Sequence, residues 1–429
     1  MNELNNFKNE PYFHSVKLER DLCKGCTSCL KNCPTEAIRV RNGKAKIIKE
    51  RCIDCGECIK VCPSHAKIAV TNKLENINNF KYKIALPAPS FYGQFRNIND
   101  IDMILTAFKM IGFDDVFEVT VGAQVVTDTT IKLLESGKLK KPVINSACPA
   151  ILRLIQQRYP DLLENILPLK APVEIAAQLA RSKAIETTKF SAKEIGVFFI
   201  SPCAAKMTTV INPLGSEISH IDGVLSMKDV VNEMAPFIHK IKDIQITTAS
   251  DSHGIVWANS GGEINALREY NCISVDGIHN VYKVLEDVED EKLKEIDFVE
   301  CSACLGGCVG GPLTVENSYV AKAKIRELSK KYKDTLIKHE NSADVFFDKE
   351  LEETPLTQLG SNMSETITLI DKIHTIHNTL PQLDCGSCGA PSCNALAEDI
   401  VRGFGKESDC IIKLKEKIKL ISNEINELE

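Results

Sequence analysis

The sequence predicts a multidomain α/β chain, and three observations point to it. Cysteines crowd residues 23–62 in a doubled run, the middle alternates short apolar runs with helix-period stretches, and the last seventy residues are helical with four cysteines of their own. At 429 residues the chain has room for two to four domains at roughly 100–200 residues each. The expected order is an α+β domain over 1–78, a two-lobed α/β domain with mostly parallel sheets over 79–350, and a linker helix with a small helical module over 351–412. A short coiled-coil-like helix over 413–429 ends the chain.

Composition narrows the function classes. Charge balances at −6, from 52 basic and 58 acidic residues, and no long basic block stands out, which argues against nucleic acid or an anionic membrane as partner. No apolar run reaches the ~18 residues that span a bilayer. The first thirty residues show no apolar stretch between a basic start and a cleavage site, so no export signal is expected. With 18 cysteines in a long chain of this kind, reduced thiolates binding metal are a better account than a disulfide framework.

The first element is Cys23-x2-Cys26-x2-Cys29-x3-Cys33-Pro34, repeated as Cys52-x2-Cys55-x2-Cys58-x3-Cys62-Pro63. This matches the bacterial two-cluster ferredoxin run, in which three cysteines bind one 4Fe–4S cluster and the fourth binds the other. The match assigns Cys23, Cys26, Cys29 and Cys62 to one cluster and Cys52, Cys55, Cys58 and Cys33 to the second. Two zinc knuckles are the alternative, which the doubled spacing fits less well. Between the runs, AIRVRNGKAKIIKE alternates around Asn42-Gly43 and reads as a hairpin.

From about residue 80, KIALPA, VINSA, IGVFFISP and IDFVE read as buried strands. MILTAFKMIG, AILRLIQQRY and APVEIAAQLARS carry helical periodicity. Such alternation predicts parallel strands with sites at their carboxyl ends. The next cysteines fall there. Cys148-Pro149 follows one strand with proline at a first helical position. Cys203 follows the VFFI strand, and Cys304 and Cys308 follow DFV among glycines that allow close backbone approach to a bulky group. Buried cysteines without a metal are the plain alternative, and they suit Cys272 and Cys301, which stand outside these sets.

These three segments resemble, in order, the cofactor motifs of the FeFe-hydrogenase family, approximately T-S-C-C-P, M-P-C-x-x-K and E-x-x-x-C-x-x-G-C-x-x-G-G. The resemblance covers roughly residues 15–345. It implies that Cys148, Cys203, Cys304 and Cys308 bind the cubane of an H-cluster and that Cys308 bridges to a diiron subsite carrying CO, cyanide and azadithiolate. Lys206 matches the motif lysine, which in relatives bonds a cyanide ligand. The stretches around Ala88, Pro89 and Ser90 and over Trp257–Gly262 resemble segments lining the cofactor pocket. Ala147, Ser201, Pro202, Ser302 and Gly307 are the remaining expected cofactor-binding positions.

Departures from that family pattern matter chemically. Ala147 stands where efficient members have a proton-passing cysteine. Thr209 or a neighbour replaces an acidic residue. The helix over 121–130 has no glutamate, and Ser201 and Ser302 replace two methionines. A relay needs groups in hydrogen-bond reach with workable pKa values, so slow catalysis or another route is expected. Glu300, Cys301 and Ser302 are the candidates for that route, with plain packing as the alternative.

Toward the C-terminus, AKAKIRELSKKYKD reads as a solvated helix face. SETITLIDKIHTIHNTL reads as an amphipathic helix carrying His374 and His377, expected as surface or core residues rather than ligands. The run Cys385, Cys388, Cys393 and Cys410 resembles the small 4Fe–4S module of corrinoid iron–sulfur proteins and of an electron-transport subunit of the Rnf type. In the tail, apolar residues at 411, 414, 418, 421, 425 and 428 form a narrow seam. That seam suits docking on its own domain, or homodimerisation and signalling contacts.

Taken together, the resemblance implies reversible H2 oxidation and proton reduction, slow and used for hydrogen sensing or redox signalling. A metabolic ferredoxin-linked hydrogenase and a non-catalytic iron–sulfur scaffold or assembly factor are the alternatives. H2, protons, ferredoxin or a signalling protein, and maturation factors are the implied partners, in an anaerobic cytoplasm.

Overall fold

The computed structural model describes residues 13–333, 343–354 and 359–428. The export-signal reading of the first twelve residues, the last residue of the charged stretch 321–334 and the side chain at 428 lie outside these. The described residues divide into two compact units: one gathers those of Val16–Cys52, Glu57–Ile68 and Pro355–Glu429, and the other those of Met1–Ser15, Ile53–Gly56 and Ala69–Thr354.

In the first unit, β1 (Val16–Leu18) pairs with β4 (Lys67–Ala69), and β2 (Ile38–Arg41) pairs antiparallel with β3 (Lys44–Ile47). Asn42 and Gly43 both take positive φ, 52° and 70°, as a two-residue turn between right-twisted strands requires. The C-terminal residues belong to this same unit as the cysteine runs except Cys55, which falls in the other unit. Its helices Met363–Thr379 and Cys393–Val401 enclose a small core of Ile373, Leu380, Ala390, Ala395 and Leu396. The last helix, Ile411–Leu428, leaves Ile418, Ile421 and Ile425 about half exposed among the described residues.

The second unit holds two parallel sheets. One has the order β6 (Asp115–Val116), β5 (Tyr82–Pro87), β8 (Ile195–Ser201), β9 (Gly223–Ser226). The other runs β10 (Cys272–Asp276), β11 (Phe298–Ser302), β7 (Val143–Ile144). β8 is buried along its whole length, which explains its unbroken apolar run. The four expected strands correspond to β5, β7, β8 and β11; β6, β9 and β10 carry too short or too mixed a pattern to read from sequence. The three expected helices are Ile101–Met110, Pro149–Arg158 and Pro172–Thr188, the last two opened by proline at the first position. Among the described residues no helix is long and apolar enough to cross a membrane.

Candidate metal centre and active site

Parallel topology delivers the site. β7 ends at Ile144, and Cys148 is the N-cap of the helix Pro149–Arg158. β8 ends at Ser201, and Cys203 is the N-cap of the helix Ala204–Ile211. Both thiols therefore stand where a helix's unpaired N–H groups favour negative charge. β11 ends at Ser302 and leads into Cys304, then Gly306 and Gly307 at φ 85° and 87°, then Cys308.

The glycines permit two close backbone crossings. A Cβ on Gly307 would stand 2.5 Å from the Ser260 amide nitrogen, and one on Gly311 would stand 2.2 Å from the Pro202 carbonyl oxygen. Cys308 N–H donates to the Ala258 carbonyl at 2.8 Å. The third cysteine motif is thus seated between the second motif and the stretch Trp257–Gly262.

Cys148, Cys203, Cys304, Cys308 and Lys206 line one cavity of about 90 Å³, several times the room one water needs. Ala88, Pro89, Ala147, Pro202, Cys301, Ser302 and Gly307 line it too, as does Cys55. Ser90 and Ser201 are outside the lining. Ser90 is fully buried, and the Ser201 hydroxyl is committed to the Cys203 backbone, accepting from its N–H and donating to its carbonyl at 3.0 Å each. The Lys206 ammonium donates to the Ala147 carbonyl at 2.9 Å, tying the second motif to the first. Cys272 lies away from the cavity with its thiol donating to the Leu267 carbonyl.

The donor set fits an iron–sulfur group. Burial pushes the Cys203 thiol up to about 12, with Cys304 and Cys148 adding to the rise. Cys308 is raised by burial and then by the same neighbours. Four thiolates packed this closely need a cationic core to hold them ionised. The indole N–H of Trp257, another lining residue, is buried with no protein partner among the described residues, as a cradle for an acceptor-bearing group would leave it.

The sequence reading missed Glu263. It lines the cavity with Glu300, and both are buried. Burial pushes the Glu263 carboxyl far above the ordinary carboxylate range, the Glu300 charge pushes it further, and a 2.7 Å bond from Asn145 opposes. Burial also raises Glu300, opposed by the N–H groups of Gly261 at 2.8 Å and Ile264 at 3.1 Å and by Ser274. Both carboxyls are thus raised by burial, and Glu300 is the better placed to carry charge, because it accepts from backbone donors that stabilise an anion. Asn145 fixes the pair to the sheet, since its carbonyl oxygen accepts from Cys301 N–H at 2.9 Å. The Ser274 hydroxyl is 3.1 Å from that of Ser260, so hydrogen-bonding groups continue from the carboxylates to a half-buried surface position. A lone glutamate in WANSGGEINALR carried no sequence signal, because its partner Glu300 is far along the chain.

Of the helix Val119–Glu135, only Val119 lines the cavity, and Thr209 spends its hydroxyl on the Ala205 carbonyl at 3.0 Å.

In the other unit, Cys23, Cys26, Cys29 and Cys62 line one small cavity, and Cys385, Cys388, Cys393 and Cys410 line another. His374 and His377 are not part of the latter lining. The set Cys33, Cys52, Cys55 and Cys58 stays an expectation of spacing.

The family described as iron only hydrogenase large subunit, C-terminal domain, matches residues 81–269 and 233–312. A 4Fe-4S dicluster domain matches 15–63, and an Fe-S cluster family matches 380–412. Iron hydrogenase 1 of Clostridium pasteurianum is 24% identical over 372 residues, 69% of this chain and 64% of that protein, so the chain spans under two thirds of that relative. The periplasmic [Fe] hydrogenase large subunit of Nitratidesulfovibrio vulgaris is 26% identical over 70% of this chain and 86% of its own. Among solved structures, a variant of the [FeFe]-hydrogenase HydA1 from Chlamydomonas reinhardtii aligns at TM-score 0.48 and 14% identity, covering 66% of this chain and 98% of that one. The hydrogenase match alone spans more than half of the 429 residues, and the chain belongs to the iron-only hydrogenase large-subunit family.

Proposed function

We propose that the chain is a slow FeFe-hydrogenase used for hydrogen sensing or redox signalling, with Cys148, Cys203, Cys304 and Cys308 as ligands of its H-cluster. One observation carries this reading: four cysteines and Lys206, drawn from three strand ends, line a single cavity. When bound, the H-cluster supplies the iron at which H2 is split or formed. Lys206, already held on the Ala147 carbonyl, keeps a donor beside the first motif for an anionic ligand. Ala147 has no proton to pass, so proton transfer falls to Glu263 and Glu300. Glu263 holds the proton, Glu300 receives it, and Ser274 and Ser260 lead it outward. A carboxyl raised toward working pH is suited to proton transfer in both directions. Cys55 in the cavity lining supports electron entry from the ferredoxin-type clusters, with ferredoxin or a signalling protein as external partner and the anaerobic cytoplasm as setting.

Infrared spectroscopy of the anaerobically matured protein tests the reading. Bands of iron-bound CO and cyanide that shift under H2 are expected. Their absence, with iron content and maturation verified, would sink it. An Ala147→Cys variant should raise turnover if the missing thiol is what limits protons; unchanged turnover would leave the carboxylate pair as the working route.

A further inference from the structure

The two four-cysteine cavities of the first unit are joined in a way that sequence did not announce. Val40, on β2, lines the cavity of Cys23, Cys26, Cys29 and Cys62. Its N–H donates to the Gly389 carbonyl at 2.8 Å. Gly389 directly follows Cys388, which lines the C-terminal cavity and whose carbonyl accepts from Arg41 at 2.5 Å. The approach is close because Gly389 has φ 79° and no Cβ: one would lie 1.8 Å from the Val40 carbonyl oxygen. One residue and one hydrogen bond thus connect the two linings. A buried ion-pair set fixes the contact. Asp399 takes Arg39 at 2.8 Å and 3.0 Å and Arg41 at 2.8 Å, while Glu398 pairs with Arg51.

The first cavity also contains an unexplained charge. Lys67 is 2% exposed, lines the cavity, and its ammonium has no hydrogen-bond partner among the described residues. A buried cation without a counter-charge is costly, and a thiolate-ligated cluster supplies one. The internal repeat sharpens the point. Ala37-Ile38 follows Cys33 as Ala66-Lys67 follows Cys62, and Ala37 and Ala66 each donate to the sulfur four residues back, at 3.2 Å and 3.3 Å. The repeat thus places an apolar residue at one position and a cation at its counterpart.

We propose that the C-terminal module is the electron-exchange partner of the Cys23, Cys26, Cys29, Cys62 cluster, joined across Val40 and Gly389, and that the Lys67 ammonium biases the shared electron toward the ferredoxin side. This rests on reading both cavities as iron–sulfur sites. The exchange moves one electron: one cluster is oxidised by one as the other is reduced, with no proton or atom transferred, and an external one-electron donor supplies it. A nearby positive charge favours the more negative, reduced cluster and so raises its potential.

The test is an anaerobic redox titration of the full-length reconstituted protein with dithionite, read by electron paramagnetic resonance, with iron and sulfide counted for each variant. Lys67→Met should lower the reduction equilibrium constant of the first cluster at least tenfold, 59 mV for one electron, and shift the electron at half-reduction onto the C-terminal cluster. Lys67→Arg should restore most of the difference. In the fully reduced unmodified protein, the signal should show spin–spin coupling that Cys393→Ala removes in part. Spectra that are additive with and without the C-terminal cluster, or an unchanged potential in Lys67→Met, would overturn the proposal. A full-length protein lacking iron at the C-terminal cysteines would overturn the cluster reading itself, and this proposal with it.

Discussion

The two regions that gather cysteines do so by opposite means. In the ferredoxin-like run, ligands with two residues between them share one loop, so local chain geometry brings Cys23, Cys26 and Cys29 together and only Cys62 comes from afar. In the hydrogenase cavity, no two of the three motifs are near in sequence. Parallel sheets bring the ends of β7, β8 and β11 to one place, and glycines at 307 and 311 let the third motif close on the stretch Trp257–Gly262 and on the second motif. The first kind of site is written in spacing; the second exists only once the sheets are built.

The sharpest way to break this comparison is Cys304→Ala. Removal of one ligand from the sheet-assembled site should abolish the CO and cyanide bands entirely while leaving the ferredoxin-type signals in place; retained bands would show that the three motifs do not form one site. Next comes Glu263→Gln, which keeps shape but removes the titrating carboxyl. Turnover should fall by roughly 10²–10⁴-fold, with the infrared bands unchanged, and full activity would return the relay to unknown groups.

The same variant has a stability signature. The folded pKa of Glu263 is raised, so the native state holds its proton more tightly than the unfolded chain. Stability is then greatest below the unfolded carboxylate value, about pH 4, and falls as pH rises through the folded value. Denaturation of Glu263→Gln from about pH 4 to about pH 8 should therefore show a shallower decline than the parent.

A smaller effect is expected where local and long-range assembly meet. Asp399→Asn leaves Arg39 without its buried carboxylate and should destabilise the first unit by about 3–5 kcal/mol. Denaturation followed through the C-terminal cluster absorption would measure it, and no change would mean the module holds by its apolar core alone. Glu398 adds a pH limit: burial pushes its carboxyl up, but Arg51 and Arg402 bring it net below the usual value. Its contribution is present above the unfolded pKa and is lost as pH falls through the folded one, so the module should loosen in acid. Least of all, Gly43→Ala should cost roughly 1–2 kcal/mol. A Cβ there meets nothing within 4 Å, so only the positive φ resists.

Much of this was legible in the sequence. Spacing alone identified both cysteine runs and the hairpin at Asn42-Gly43, because each depends on neighbours along the chain. Motif order likewise pointed to Cys148, Cys203, Cys304 and Cys308, and periodicity to the strands and helices bearing them. The sequence was silent on Glu263, Lys67 and the seam between Val40 and Gly389. Each of these acts through a partner far away in the chain: Glu263 through Glu300, Lys67 through Cys29, Gly389 through β2. A charge acquires its chemistry from what surrounds it after water is excluded, and only tertiary structure sets that surrounding. Sequence by itself determined which groups could bind metal; the fold decided which of them share a cavity and which carboxyls burial pushes up.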